Sequence, residues 1–292
     1  VLNGHPNVRA ETRARVQTEI EELGYRRNSS ARALVPRRIG VIGVVAFDPT
    51  LHGPAGTLGG IERAARAAGY FLSVVTLQTV TRQAVREAMD YLAQQPVEGY
   101  IVIAPQRAVV DGPADLPYGR PVVAVEGGEA PDLPVVCVDQ YGGAYLATRH
   151  LLDLGHRTVH HIAGPRDWLE AEDRVHGWCH ALQEAGVRVP EPLYGDRHPK
   201  AGYELARRLT DDGDVTAIFV ANDQMALGAL RALGDSGVRV PRDVSVVGFD
   251  DIPEAEFFTP PLTTVSQDFG EVGQRSIRLL VGLIDAPGGA GP

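Results

Sequence analysis

The chain has 292 residues, 44% hydrophobic and 22% charged, with a formal net charge of −9. That is enough apolar material for two domains of ordinary size, and the acidic balance excludes a surface built throughout for nucleic acid. Two distant cysteines, Cys137 and Cys179, outside any CxxC, exclude a disulfide scaffold and a zinc site, and no apolar run reaches the roughly 18 residues of a membrane span.

The charge is uneven. Residues 1–38 hold eight arginines and four glutamates, a net of +4 against −9 for the whole chain. A basic arm on an acidic body suits either local anion binding or a solvated helix with a basic tail. The opening VLNGHPNVRAETR lacks the apolar stretch of a signal peptide, so the sequence predicts a cytoplasmic protein. In 8–24, Val8, Val16, Ile20 and Leu23 share one helical face and Gly24 is a stop signal. In YRRNSSARALVPRR, Asn28 and Ser29 are good caps, Ala31 to Leu34 suit a short helix, and Pro36 ends it. One turn is too short to be stable alone.

From Arg38 the texture changes. IGVIGVVAF (39–47) is a continuous apolar run, the signature of a parallel strand buried on both faces. A Gly/Pro-rich loop (48–57) and a helix (58–69) follow. Next come strand 70–76, helix 81–95, and strands 99–104 and 121–126. The pattern restarts with helix 142–154, strand 158–164, helix 169–186 and a short strand near Leu193. Helix 200–210, strand 215–221, helix 223–237, strands 243–250 and 262–267, and helix 269–284 complete it. This alternation predicts α/β domains with parallel sheets, one architecture used twice over about 39–126 and 158–250. Ligands of such sheets bind beyond the carboxyl ends of the strands, so two sheets side by side make a cleft.

At those ends stand Asp48, Leu51, His52, Glu126, Asp139, Asn222, Asp223, Asp250 and Asp251. Asp and Asn there serve equally as helix caps or as ligand contacts. No GxSxG, Walker loop or HExxH marks an enzyme, and the sequence predicts no catalytic residue, metal or cofactor. His160 and His161 project to opposite faces of a strand, against joint metal ligation. Asp211–Asp214 resembles half a calcium loop but lacks the later Glu, and reads as a solvated turn. Both cysteines sit in apolar sequence and are expected to be inert core thiols.

Several stretches, VLNGHPNVRAETRARVQTEIEELGY, NSSARAL, HLLDLGHRTVHHIAGP, RVHGW, VANDQMALGALRALGDSGVRVPRDVSVVGFDD and PPLTTVSQDFGEVG, resemble the LacI/GalR family of bacterial transcription regulators, in order and over nearly the whole chain. The resemblance implies a helix-turn-helix, a hinge helix, and a two-subdomain, periplasmic-binding-protein-like core that binds a carbohydrate. It assigns 1–24 to a helix-turn-helix remnant and 25–38 to the hinge. It gives 39–140 plus 268–292 to one subdomain and 141–267 to the other. It also implies operator DNA, a sugar effector and a second copy of the chain as partners. The dimer interface would lie around Gly60–Thr76 and Met225–Gly234.

The resemblance implies DNA contacts by Asn3, Asn7, Arg9, Thr12, Tyr25, Asn28, Ser29, Ala31, Arg32 and Leu34, with Leu34 as a minor-groove wedge. Most of the major-groove reader would precede Val1, so the chain as given should bind operator poorly. Effector contacts are implied for Arg174, Asn222, Asp250, Gln267, Phe269, Glu126, Leu51, His52 and Pro54. Asn222 is expected to face the ligand, with Asp223 as the cap or a hinge-region partner. Arg197 stands where an aromatic platform is expected, Thr79 replaces an arginine and Glu170 a serine, so the sugar should differ from lactose; an acidic or phosphorylated sugar would suit Arg197 and Arg174. The tail DAPGGAGP stands where the family continues into two crossing strands. The function implied is a sugar-controlled repressor, the alternative a sugar-binding protein of a transport system.

Overall fold

The structure, a computed structural model, describes residues 9–22, 40–48, 50–78, 81–103, 119–126, 133–210 and 213–286. The chain divides into two compact units, Val1–Ile39 and Gly40–Pro292. In the first, α1 (Ala10–Glu22) turns Val16 and Ile20 to its half-buried side and leaves Arg9 and Thr12 exposed. Asn3, Asn7, Tyr25, Asn28, Ser29, Ala31, Arg32, Leu34 and, in the second unit, Thr79 lie outside the described residues.

The larger unit holds two parallel five-stranded sheets. In chain order its elements are β1 (Val41–Phe47), α2 (His52–Ala67), β2 (Phe71–Leu77), α3 (Arg82–Ala93), β3 (Gly99–Ile103), β4 (Val122–Val125), β5 (Val135–Val136), α4 (Gln140–Asp153), β6 (His160–Ala163), α5 (Leu169–Glu184), β7 (Leu193–Tyr194), α6 (Pro199–Thr210), β8 (Ala217–Val220), α7 (Asp223–Asp235), β9 (Ser245–Asp250), a 3-10 turn at Ala255–Phe257, β10 (Thr263–Ser266) and α8 (Phe269–Asp285). The sheet orders are β2-β1-β3-β4-β5 and β10-β9-β8-β6-β7, with every pairing parallel.

Apolar runs without alternation become strands covered on both faces. Ile42, Val44, Ile101 and Val123 meet Ile61 of α2 and Val272, Ile277 and Leu280 of α8. The other face, with Val45, Tyr100 and Val102, meets Val85, Met89 and Leu92 of α3. The second sheet is wound likewise, with α6 and α7 on one face and α4 and α5 on the other. Edge strand β2 is the exception, with Phe71 and Val74 exposed.

Three helix pairs cross closely because glycines stand at the crossings. A Cβ on Gly60 of α2 would lie 2.0 Å from the Phe269 carbonyl, on Gly177 of α5 2.1 Å from the Tyr141 carbonyl, and on Gly228 of α7 1.8 Å from the Pro199 carbonyl. This explains a correction. The Gly/Pro-rich stretch expected to be a loop to 57 is the start of α2, from His52. Pro54 falls in the first turn, where no intrahelical N–H is required, and Gly56 makes room for the Phe269 ring. Strand β5 was not anticipated, since two residues carry no period. The cysteine expectation is also corrected, because Cys137 is exposed and Cys179 half-buried. His161 stacks on Phe219, 4.6 Å between ring centroids, and its Nδ1 bonds the Phe219 carbonyl, while burial holds its pKa at about 4. No described helix is long and apolar enough to cross a membrane.

Candidate ligand-binding cleft

A cleft of about 520 Å³, counting its open mouth, lies beyond the carboxyl ends of both sheets. Leu51, His52 and Pro54 from the start of α2 and Glu126 from the end of β4 line it from the first sheet. Arg174, Arg197, Asn222, Asp250 and Gln267 line it from the second.

The polar lining is internally bonded. Arg174 lies over the Phe249 ring, Cζ 4.0 Å from the centroid. Its Nε donates to Gln140 Oε1 at 2.8 Å, and its Nη1 donates to the Ala221 carbonyl. Gln140 Nε2 donates to Gln267 Oε1 at 3.0 Å, and Gln267 Nε2 donates to Asp250 Oδ1 at 2.7 Å. Arg174 Nη2 lies 3.8 Å from the same Asp250 oxygen, closing a ring of four side chains. Gln140 is buried at the start of α4; nothing in its sequence setting distinguishes it from an ordinary helix residue.

Asn222 combines two roles. Its Oδ1 accepts from Met225 N at 3.0 Å, capping α7, and its Nδ2 donates to the Arg197 carbonyl at 3.1 Å. Asp223 is not the cap. It is fully buried, accepts from Thr264 Oγ1 at 2.7 Å and Ile252 N at 3.0 Å, and so fastens α7 to β10; burial pushes its pKa up to about 6. Of the other strand-end carboxylates, Asp139 caps α4, Asp48 accepts from Thr50, and Asp251 is exposed; none lines the cleft. Phe269 stands behind the lining, its ring 5.7 Å from that of His52.

Glu126 is 3% exposed and accepts from Thr57 Oγ1 at 2.6 Å, and its carboxyl lies beside that of Glu170, from the first turn of α5. Burial raises the pKa of Glu126, and burial together with the neighbouring Glu126 holds Glu170 well above the carboxylate range. Burial pushes Asp250 up to about 7 against the pull of Arg174. Burial also lowers His52, favouring its neutral ring.

An aromatic residue occupies the cleft after all. Trp168, from the loop between β6 and α5, lines it, packs edge-on to Phe47 at 5.6 Å, and carries the Arg197 guanidinium 3.5 Å above its ring. A tryptophan in a loop at a strand's carboxyl end was the signal available for it. The backbone marks the same place. Four described non-glycine residues have left-handed φ, and three of them, Glu126 (64°), Arg197 (82°) and Asp250 (110°), line the cleft. Strain of this kind gathers where a binding geometry is held by its surroundings. Among the described lining residues there is no serine, threonine, cysteine or lysine nucleophile. The donors and acceptors suit paired hydroxyls, with Trp168, Leu51 and Met225 offering apolar surface.

Two parallel sheets with a polar cleft at their carboxyl ends define a periplasmic-binding-protein-like ligand-binding core. Residues 148–292 match the family model described as a periplasmic binding protein-like domain. The chain is 36% identical to the HTH-type transcriptional regulator CelR of Thermobifida fusca, over 96% of this chain and 85% of that protein. It is 32% identical to the lactose operon repressor of Escherichia coli, over 97% and 79%. Among solved structures, the Lac repressor bound to ONPG superposes with a TM-score of 0.86 at 31% identity, covering 97% of this chain and 87% of that one. A CelR–cellobiose complex superposes at 0.74 and 34% identity, with the same coverage. The chain belongs to the LacI family of transcriptional regulators.

Proposed function

We propose that this protein is a repressor whose grip on operator DNA is set by a carbohydrate bound between its two sheets. The observation that carries the reading is the ring of Arg174, Gln140, Gln267 and Asp250, facing Glu126 across one cleft. A buried, pre-oriented set of amide, guanidinium and carboxyl groups recognises neighbouring hydroxyls. Related structures supply the precedent, one a Lac repressor dimer bound to operator and the anti-inducer ONPF, another CelR with cellobiose. DNA contact is assigned to the N-terminal unit, where Arg9 and Thr12 are exposed.

The two subdomains are taken as 39–140 plus 268–292 and 141–267, in keeping with α8 packing on α2 and the first sheet. A homodimer would use Phe71 and Val74 of β2 and Leu227 of α7, all exposed. A ligand that binds one arrangement of the subdomains better than another shifts the pair toward it, and so changes the spacing of the DNA-binding segments.

The test is a sugar panel read by thermal shift, since a ligand of the folded state raises its melting temperature. The hits are then measured for their effect on binding to DNA upstream of the gene. Arg174→Ala should weaken the bound sugar by about tenfold or more, the worth of a charge-assisted hydrogen bond. A sugar that binds with no change in the operator affinity of the intact protein, helix-turn-helix included, would refute the gating.

A further inference from the structure

We propose that the cleft selects a sugar acid, and that Arg197 receives the ligand's carboxylate. The inference rests on reading the cleft as a carbohydrate site and names the class of carbohydrate.

Arg197 is held in place by three features independent of any ligand. Its carbonyl accepts from Asn222, its φ is 82°, and its guanidinium lies on the Trp168 ring at 3.5 Å. Yet Nε and Nη1 are buried and have no acceptor. Both N–H groups are therefore desolvated and unpaired, an arrangement that costs free energy until an acceptor arrives.

The charge also lacks a counter-charge in contact. Arg174 has its counter-charge in Asp250, whereas Arg197 forms no ion pair among the described residues. Asp48, Asp167, Glu170 and Asp196 act on it only through space. Asp48 is turned to its own loop, accepting from Thr50 N at 3.1 Å. A neutral hydroxyl would supply the missing acceptor but no counter-charge in contact, whereas an anionic oxygen supplies both.

Carboxylate and phosphate share that chemistry, and the cleft favours the first. A carboxylate balances the single charge of Arg197. A phosphate dianion would exceed that charge by one, in a space whose other acidic groups, Glu126, Glu170 and Asp250, already resist ionisation.

The test is calorimetry with matched ligands on the intact chain: glucose, glucuronate and glucose 6-phosphate; galactose and galacturonate; cellobiose and cellobionate. The expected result is that a carboxylate ligand binds about tenfold or more tighter than its neutral partner and than the phosphate. Arg197→Gln should erase that preference and Arg197→Lys keep part of it, with circular dichroism confirming that both variants fold. If neutral sugars bind as tightly as their acids, or the preference survives R197Q, the inference falls and the sugar site stands. If the phosphate binds tightest, the choice of carboxylate falls. If no sugar of any charge binds, the carbohydrate reading fails and takes the inference with it.

Discussion

Glu126 and Glu170 meet carboxyl to carboxyl, one at the end of β4 in the first sheet, the other in the first turn of α5 beside the second. Two carboxyl groups share a hydrogen bond only when one of them holds a proton. A proton shared between them would tie the two halves of the core together, and the burial of both groups favours holding it.

Both pKa values are raised above the ordinary 4.5, so the folded state binds this proton more tightly than the unfolded chain. The stabilisation is complete below pH 4.5 and is lost as pH rises through the folded-state pKa of the pair. Glu170→Gln keeps a donor to Glu126 and needs no proton. Its melting temperature should fall less steeply than wild type's as pH rises above 4.5, with Glu126, still raised by burial, Asp223 (about 6) and Asp250 (about 7) supplying the remaining slope. Parallel profiles for the two proteins would rule out the shared proton.

Asn222 caps a helix with one atom and holds Arg197 with another, and two substitutions separate these roles. Asn222→Ala should lower stability by about 1 kcal/mol, the usual worth of a cap, and weaken ligand binding. Asn222→Asp should restore the cap but not the donor to Arg197, recovering stability in urea titrations without recovering affinity. If affinity returns with the cap, the amide donor has no part in binding.

Asp223 anchors α7 to β10 and lies off the cleft. Asp223→Ala strands one buried donor, Ile252 N, at roughly 1–3 kcal/mol, and one half-buried donor, Thr264 Oγ1, at less. Denaturant unfolding should show a loss of a few kcal/mol, while any folded fraction keeps its ligand affinity. A loss below about 0.5 kcal/mol would mean that these bonds are readily replaced by water.

Gly228 is where α7 meets the start of α6, and a methyl group added there would lie 1.8 Å from the Pro199 carbonyl. Gly228→Ala gains helix propensity of about 1 kcal/mol but must force the helices apart, an overpacking typically worth roughly 1–3 kcal/mol and here against rigid backbone. The net effect expected is a lower melting temperature; a higher one would mean that the helices separate freely.

Much of the fold was legible because buried parallel strands announce themselves as apolar runs, and β1, β3 and β8 need no partner to be recognised. The start of α2 was not, because Gly53, Pro54 and Gly56 look like loop residues until Phe269 of α8 is seen filling the space beside Gly56. In the site, sequence named the strand-end residues but not their division of labour. Caps and ligand contacts use the same side chains, so Asn222 and Asp223 could be told apart only by their partners. The Glu126–Glu170 contact and the Gln140 bridge join residues from different sheets or helices, and local pattern carries no trace of them. Trp168 was overlooked because the aromatic was sought at the Arg197 position, whereas the two positions have become a stacked pair.

The left-handed backbone at Glu126, Arg197 and Asp250 sets robustness against recognition. Glycine would relax each of these three residues, and the same change would delete a carboxyl or guanidinium from the cleft. Selection for heat tolerance alone would drift toward glycine there and produce a sturdier protein blind to its ligand. Under the proposed function, Glu, Arg and Asp stand at these positions because binding, not folding, decides the residue.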